Sequence, residues 1–290
     1  MKEAPLVSVL TTCYNREDYL AECIESVLNG NFQDFELIIV DDQSTDDSVA
    51  IAKRYASQDD RIKVHLNEVN LGDYPNRNQA ASLATGKYIK YLDADDMLGK
   101  WALDIMVDAV ERFPEAGFAL FDHGPNRPLY PRLLSPEETF EAFYSGEHDF
   151  FHRSPLTAII RRDAFESLNG FTGSRYVGDF EMWHRLATHF PMVMMSAWPV
   201  FWRRHDAQES EDIRQDPIIP LTYLQLSEAM LQREDCPLSP DRQKHHVQQA
   251  KRKTARSILY GFKRHGIGSA LRMKRHSNRS WTQLLKDAFS

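Results

Sequence analysis

The first 115 residues alternate between short apolar runs and amphipathic stretches, and this alternation limits the fold more than any other feature. Residues 6–10 form a β-rich run, and the apolar residues of 20–28 then recur at helical spacing. Asn15 is the predicted N-cap of that first helix. The same alternation predicts strands at 35–40, 61–66 and 88–92 and helices at 44–56, 75–85 and 101–113. Strands separated by helices indicate an α/β fold with a mainly parallel sheet covered on both faces.

The pattern changes along the second half of the chain, and so does the charge. Strand signals at 156–160 and 199–203 flank a helical signal at 179–189, and the chain from residue 218 onward is mostly helical. Residues 1–240 carry a net charge of −18, whereas residues 241–290 carry +11. This shift predicts a body of residues 1–210 and a basic, helical C-terminal extension of residues 211–290.

Composition excludes several classes of protein. Hydrophobic residues make up 42% of the chain, enough to fill a core. The uncharged stretch 191–202 is too short to cross a bilayer, and the N-terminus lacks the apolar segment of a secretory signal. The three cysteines lack a metal-like spacing and are interpreted as free thiols in a reducing compartment. We therefore expect a cytoplasmic protein.

Acidic residues follow two of the predicted strands directly. Asp41 and Asp42 follow one, and Asp93, Asp95 and Asp96 follow another. Ligands of open α/β sheets bind outside these strand ends. Five carboxylates in one crevice would repel each other unless a positive group lay between them, and a divalent cation carrying a diphosphate is the obvious candidate. Each acidic cluster could alternatively cap the helix that follows it.

Three segments carry a resemblance to a known family. Residues 7–16 (VSVLTTCYNR), 39–46 (IVDDQSTD) and 91–96 (YLDADD) resemble, in order and spacing, the family 2 glycosyltransferases with the GT-A fold. A weaker similarity continues through 154–157, 178–179 and 203–205, and residues 211–290 lie outside it. The resemblance implies a GT-A-type, Rossmann-like domain, with a nucleotide-binding half at about 5–115 and an acceptor half at about 116–210.

The resemblance also implies an activity and a donor site. Members of the family transfer a sugar from a nucleotide-sugar to an acceptor hydroxyl and invert the anomeric carbon. By this resemblance Thr12, Tyr14 and Asp42 hold the base and ribose, most simply those of a UDP-sugar, and Asp93 contacts the nucleotide sugar. Arg77 falls where the family often has an arginine near the diphosphate, although Asp73-Tyr74-Pro75 before it is bulkier than usual.

The remaining implied roles concern a metal ion and a base. Asp95 would bind Mn²⁺ or Mg²⁺ as the second acid of the family's D-x-D motif, and His205 could reach the same ion. By the same resemblance, residues 178–181 occupy the place of the family's acidic motif at a helix start, so Asp179 is the predicted base, and the helix N-terminus would keep its carboxylate ionised. Gly178 stands where many relatives have another acid, so Glu181 remains a rival for the role. Asp179 could instead serve only to cap the helix.

The basic extension suggests where the enzyme works. Its cations are interspersed with apolar residues, which is typical of a helix that binds an anionic membrane surface. We expect a glycan or lipid-linked acceptor, a role in surface polysaccharide or glycolipid synthesis, and peripheral attachment at the inner face of the membrane. Ile258, Leu259, Phe262 and Leu271 could instead pack onto the body or a second subunit. No recognised motif supports nucleic-acid binding.

Two other functions fit parts of the sequence. A haloacid-dehalogenase-like phosphatase also has a D-x-D after an apolar strand. In that class the motif lies near the first strand and has Thr or Val two positions after its second Asp, where this sequence has Met97. A nucleotide-sugar-binding protein without catalysis would need the donor residues but not Asp179.

Overall fold

The structure, a computed structural model, describes residues 4–122, 128–196, 200–204 and 216–289, without the side chain of His265. Its residues separate into two compact units, Met1–Arg203 and Arg204–Ser290. The boundary predicted near residue 210 falls within 205–215, outside the described residues.

A mixed, mainly parallel sheet forms the centre of the first unit. Within the described residues it has eight strands in the order β3-β2-β1-β4-β8-β6-β9-β7. The first four strands of that order run parallel, β8 is antiparallel to β4 and β6, and β7 is antiparallel to β9. The strands are β1 (Val7–Cys13), β2 (Phe35–Asp41), β3 (Ile62–Leu66), β4 (Tyr88–Tyr91), β5 (Met97–Leu98), β6 (Phe118–Phe121), β7 (Arg132–Leu134), β8 (Ala158–Arg161), β9 (Met192–Met195) and β10 (Val200–Phe201).

Helices follow the first strands, as the alternating pattern predicted. All seven residues of β2 are buried, which matches a central strand covered on both faces. β5 and β10 form a separate antiparallel pair beside this sheet. The helices are α1 (Leu20–Leu28), α2 (Ser48–Ala56), α3 (Asp73–Ser82), α4 (Ala102–Glu111), α5 (Pro136–Tyr144), α6 (Arg162–Ser167) and α7 (Gly178–His189).

Asn15 does not cap the first helix, so that prediction was wrong. α1 begins at Leu20, after Tyr19. Asn15 has a φ of 52°, in the left-handed region that Asn tolerates better than most residues. Its side-chain oxygen instead accepts the Thr45 N–H at 2.8 Å, which ties the turn after β1 to the segment before α2.

The second unit is helical and has its own apolar core. Its helices are α8 (Ile218–Leu231), α9 (Pro240–Ser277) and α10 (Trp281–Phe289), and α9 is interrupted at Gly266, whose φ is 77°. Ile258 is fully buried in this core, and Leu259 packs against it. These two residues therefore contribute to packing within their own unit. The core is formed by Leu221, Ala255, Ile258, Met273, Leu284 and Ala288.

Phe262 packs in the same unit, with its ring 5.6 Å from that of Trp281, whereas Leu271 remains 41% exposed. Across the part of the chain that the structure describes, no helix combines the length and the apolar character needed to cross a bilayer.

Candidate functional site

Neighbouring strands bring the sequence motifs to one edge of the sheet. β1, β2 and β4 lie side by side and end at Cys13, Asp41 and Tyr91. Because they are parallel, the loops that follow them emerge together at the carboxyl edge. Thr12 is half-buried at the end of β1, and Tyr14 is 50% exposed immediately beyond it. The Tyr14 ring is therefore accessible for stacking at this edge.

Asp42 is buried and uses its carboxylate to hold the loop before α3. Its Oδ1 accepts hydrogen bonds from Asn67 Nδ2 at 2.7 Å and from the Leu71 N–H at 2.8 Å. Its Oδ2 accepts the N–H of Gly72 at 2.9 Å, at the residue that precedes α3. Asp42 therefore shapes the loop that leads to α3, the helix that carries Arg77.

Arg77 joins two acidic groups from different elements. Its Nε donates to Asp73 Oδ1 at 2.7 Å, and its Nη1 lies 2.7 Å from Asp93 Oδ1. The guanidinium is buried and lies over the Tyr91 ring. Although burial opposes the charge, Asp93 and Asp73 hold the pKa of Arg77 well above its ordinary value. The predicted donor residues Arg77 and Asp93 are thus in direct contact.

The other two acids of the 93–96 loop contact different groups of the protein. Asp95 Oδ2 accepts a hydrogen bond from Arg16 Nε at 2.9 Å. Asp96 Oδ1 accepts the Arg203 N–H at 3.0 Å, and Arg203 Nε donates to the Asp95 carbonyl at 3.0 Å. Burial, with a contribution from Asp93, raises the pKa of Asp96 to about 8.

The five strand-end carboxylates lie at the same edge of the sheet, but each contacts different groups of the protein. The two acids after β2 are buried against neighbouring backbone, and two of the three after β4 are paired with arginines. Within the described ranges, no group of three His, Cys, Asp or Glu side chains is arranged to hold a metal ion. Arg16 and Arg77 place positive charge beside Asp95 and Asp93.

Lys90 is a site-supporting residue that the sequence interpretation missed. It lies in β4, is fully buried, and donates to the Tyr91 carbonyl at 2.9 Å and to the Leu156 carbonyl. Burial lowers the pKa of Lys90 to about 7, and the nearby Asp93 and Asp96 oppose this change. A single Lys in an otherwise apolar strand was the available signal. Its ammonium ties the end of β4 to the segment before β8.

Asp179 lies at the start of α7, facing α3. Its N–H donates to the Tyr74 hydroxyl at 3.2 Å, and its Oδ1 accepts the Phe180 N–H at 2.7 Å. Burial raises the pKa of Asp179 to about 7 from an ordinary value of 3.8, although the Phe180 N–H and Arg77 oppose the rise. The direction is opposite to that expected from the helix N-terminus alone, because desolvation outweighs the helix dipole. A pKa near 7 suits a general base.

Gly178 and Tyr74 are complementary in size. A Cβ on Gly178 would lie 2.6 Å from the Tyr74 Cζ, so only glycine leaves room for the ring. Tyr74 is buried and packs on Phe171 with ring centroids 5.0 Å apart. The bulky residue before Arg77 and the glycine before Asp179, both unusual for the family, are therefore one complementary pair.

The other predicted residues differ in position. Glu181 is half-buried, and its carboxylate accepts a hydrogen bond from the Thr172 hydroxyl, so it is engaged away from the 93–96 loop. His205 lies outside the described residues. The structure thus pairs Arg77 with Asp93 and Arg16 with Asp95, and the N–H of Asp179 donates to the hydroxyl of Tyr74 in the helix that carries Arg77.

Comparisons with known proteins agree with this architecture. Residues 8–168 match the model of the family described as "Glycosyl transferase family 2". The chain is 34% identical over 194 residues to the putative glycosyltransferase EpsE of Bacillus subtilis, covering 64% of this chain and 68% of EpsE. It is 41% identical over 140 residues to TuaG of the same organism, a putative teichuronic acid biosynthesis glycosyltransferase, covering 46% of this chain and 54% of TuaG.

Solved structures share the fold at low sequence identity. TarS 1–349 of S. aureus superposes with a TM-score of 0.67 at 17% identity, covering 97% of this chain and 88% of that one. The mannosyltransferase PcManGT of Pyrobaculum calidifontis, solved with GDP-Man and Mn²⁺, superposes with a TM-score of 0.63 at 16% identity, covering 99% of this chain and 86% of that one.

The predicted GT-A architecture is therefore confirmed, and the phosphatase alternative is excluded because the matched family is a different one. The family match spans more than half of the chain and includes the two strand-end motifs that build the site. The chain belongs to glycosyl transferase family 2 and is a glycosyltransferase.

Proposed function

We propose that the protein is an inverting, metal-dependent transferase that moves a sugar from a UDP-sugar to an acceptor hydroxyl. The observation that carries this proposal is the Arg77 bridge, which joins Asp93 to α3, the same helix whose Tyr74 hydroxyl accepts the Asp179 N–H. The acid proposed to hold the donor, Asp93, and the candidate base, Asp179, are thereby kept near the buried guanidinium of Arg77. Such an arrangement suits a single in-line displacement, which inverts the anomeric carbon.

In this proposal the residues of the carboxyl edge hold the nucleotide. Tyr14 stacks on the base, Thr12 and Asp93 contact the donor, and Arg77 faces the diphosphate. Asp42 shapes the loop of residues 67–72 through the three protein N–H groups that its carboxylate accepts, and its Oδ2, which accepts only one of them, keeps the capacity to contact the base. TarS has been solved with UDP and with UDP-GlcNAc, which favours uracil, whereas PcManGT was solved with GDP-Man.

The described residues fit a divalent cation that is shared with the donor. Mg²⁺ is usually bound through one or two carboxylates together with substrate phosphates, so a three-residue protein cluster is not needed. Asp95 would hold Mn²⁺ or Mg²⁺, with His205 as a further candidate, and the ion would neutralise charge on the leaving diphosphate. Asp179 would take the proton from the acceptor hydroxyl as the bond to the sugar forms, and its pKa near 7 supports that role.

Nucleotide release from a panel of donors tests this function. Purified protein is mixed with UDP-sugars or GDP-sugars, with Mn²⁺ or with chelator, and released nucleoside diphosphate is measured. We expect turnover with a UDP-sugar and Mn²⁺, and a rate about 10²-fold lower in Asp179→Asn with donor affinity nearly unchanged. Donor binding without turnover in the wild type would favour the non-catalytic alternative. Full activity in Asp179→Asn would transfer the role of base to Glu181.

We further propose that the basic C-terminal extension, residues 211–290, attaches the enzyme to the anionic inner face of a membrane. A cavity of about 670 Å³ between α9 and α10 is lined by Lys244, Lys251 and Lys286. None of these three lysines forms an ion pair with any residue that the structure describes. The acid in this groove, Asp287, is paired with Arg279. The names of EpsE and TuaG suit an acceptor in surface polysaccharide or glycolipid synthesis.

Vesicle co-sedimentation at low and high salt tests the docking. We expect binding to anionic but not neutral vesicles, weakening as salt rises. A triple charge reversal, Lys244→Glu with Lys251→Glu and Lys286→Glu, should weaken binding more than the same change at Lys253, Lys263 and Lys274. Wild-type protein that ignores anionic vesicles at low salt would contradict membrane docking.

A further inference from the structure

Arg16 contacts the acid that is the proposed metal ligand, across 79 positions of sequence. Its Nε donates to Asp95 Oδ2 at 2.9 Å, and both side chains are largely buried, with 27% and 13% exposed. Its Nη1 donates to the carbonyls of Tyr14 at 3.2 Å and Asn15 at 3.0 Å. The guanidinium is therefore aimed at Asp95 by the backbone of its own turn.

That turn is itself fixed by the segment before α2 and by the first residue of that helix. The Asn15 N–H donates to Ser44 Oγ at 2.9 Å, and the Arg16 N–H donates to Ser48 Oγ at 2.8 Å. The Asn15 side chain accepts the Thr45 N–H, and its backbone is in the left-handed region. Arg16 is therefore held in place by several hydrogen bonds, unlike a mobile surface arginine that meets an acid by chance.

The charge balance of the loop follows from this contact. Asp95 is paired with Arg16, and Asp93 shares the charge of Arg77 with Asp73. A divalent cation that arrives alone must compete with the Arg16 guanidinium for Asp95, and it adds positive charge beside two arginines. A nucleoside diphosphate brings negative charge that compensates both the cation and the arginines. Cation and nucleotide should therefore favour each other's binding.

We propose that Arg16 is a competing counter-ion for Asp95, and that it makes divalent-cation binding depend on the nucleoside diphosphate. The inference rests on the proposed role of Asp95 as a metal ligand. Arg16 is on this account a positioning residue that acts through Asp95. Its effect is a coupling between two ligands, and the coupling must be equal in both directions.

Mn²⁺ binding measured by electron paramagnetic resonance tests the proposal without any need for turnover. Wild type and Arg16→Gln are titrated with Mn²⁺, each with and without saturating UDP. Because a hydrogen bond between charged groups is lost, we expect Arg16→Gln to bind Mn²⁺ alone about tenfold more tightly than wild type. The factor by which UDP tightens Mn²⁺ binding should fall correspondingly, and calorimetry of UDP binding with and without Mn²⁺ should show the same fall.

Two further variants make the result specific. Arg16→Lys keeps the positive charge and should stay closer to wild type than Arg16→Gln. Arg61→Gln removes an arginine that pairs with Asp59 at 2.7 Å with similar exposure, at the start of β3 and away from the carboxyl edge, and should leave Mn²⁺ binding unchanged. Near-ultraviolet circular dichroism checks folding, and Arg16→Met, which keeps an apolar stem, replaces Arg16→Gln if that variant does not fold.

Equal Mn²⁺ affinity of folded wild type and Arg16→Gln in the absence of UDP would overturn the inference, as would wild-type Mn²⁺ binding that UDP does not change. These outcomes leave the transferase function standing, because that function depends on donor turnover. If neither protein binds Mn²⁺ under any condition, the inference and the proposed metal dependence both fail. Turnover of a UDP-sugar with chelator present would then show that the transferase works without a metal.

Discussion

Replacing Asp179 by Asn should make the protein more stable at neutral and alkaline pH while it slows transfer. Asn has the same shape and keeps an oxygen to accept the Phe180 N–H at 2.7 Å, but it has no charge to bury. Burial raises the pKa of the wild-type carboxyl from 3.8 to about 7. The folded state therefore favours the protonated acid. The wild-type protein loses stability as pH rises from 3.8, the pKa in the unfolded chain, to about 7, the pKa in the folded protein. Above about pH 7 the loss stays constant.

The expected difference in the free energy of unfolding follows from the part of this pH range that lies between pH 5 and pH 7. Between pH 5 and pH 7 a fully buried carboxyl would cost about 1.4 kcal/mol per pH unit, or roughly 3 kcal/mol. Asp179 keeps part of its surface in contact with water, so we expect about half of that value. For a unit of this size, about 1.5 kcal/mol corresponds to a difference in melting temperature of roughly 3–6 °C.

Thermal unfolding of wild type and Asp179→Asn, measured from pH 5 to pH 9, provides the assay. The advantage of the variant should grow up to about pH 7 and then level off. Glu181→Gln, which changes the neighbouring acid of the same helix turn, serves as the control and should show no such growth. A difference between wild type and Asp179→Asn that does not change with pH would refute the argument. The wild-type transfer rate should fall below about pH 7, where the base becomes protonated.

Three further substitutions test the same site. Arg77→Met should weaken binding of UDP by about tenfold or more, measured by calorimetry, because Asp93 loses its buried partner. Gly178→Ala should lower the melting temperature, since its Cβ would lie 2.6 Å from the Tyr74 ring, and adding Tyr74→Ala should recover part of the loss. Asp95→Asn should abolish the effect of Mn²⁺ on UDP affinity without unfolding the protein, and an unchanged Mn²⁺ effect would remove Asp95 from the metal site.

The strands and their order of appearance were accessible from sequence because they depend on local patterns. The apolar run within β2 identified a central strand, and the acids after β2 and β4 identified the edge at which a ligand binds. The ligand-binding edge of the sheet could be predicted because parallel strands end at the same edge. That inference does not require knowing which distant residues are in contact.

The counter-charges of the site could not be found in this way. Arg16 and Asp95 are 79 residues apart, and Arg203 reaches the same loop from more than 100 residues away. No local pattern links such residues, because their contact is created by the fold. The sequence therefore indicated a cation for the acidic clusters and, through the family resemblance, Arg77, but it did not indicate that Arg16 pairs with Asp95.

In the C-terminal unit, the sequence predicted an apolar helix face but not the partner that covers it. Apolar residues at helical spacing show that one face of a helix is covered, but they do not show by what. Ile258 and Leu259 could have contacted a membrane, the catalytic unit or a second subunit, and they pack within their own unit. Choosing among these partners requires tertiary information.

The fit between Tyr74 and Gly178 constrains how this enzyme can be altered. Introducing a second acid before Asp179, as many relatives have, would place a side chain where the Tyr74 ring lies. Shortening Tyr74 first would leave a cavity beside Phe171 and remove the hydroxyl that accepts the Asp179 N–H. Both single steps are unfavourable, so exchange between the two arrangements requires simultaneous change. An engineer who grafts the start of α7 from a relative should therefore transfer residues 73–75 with it.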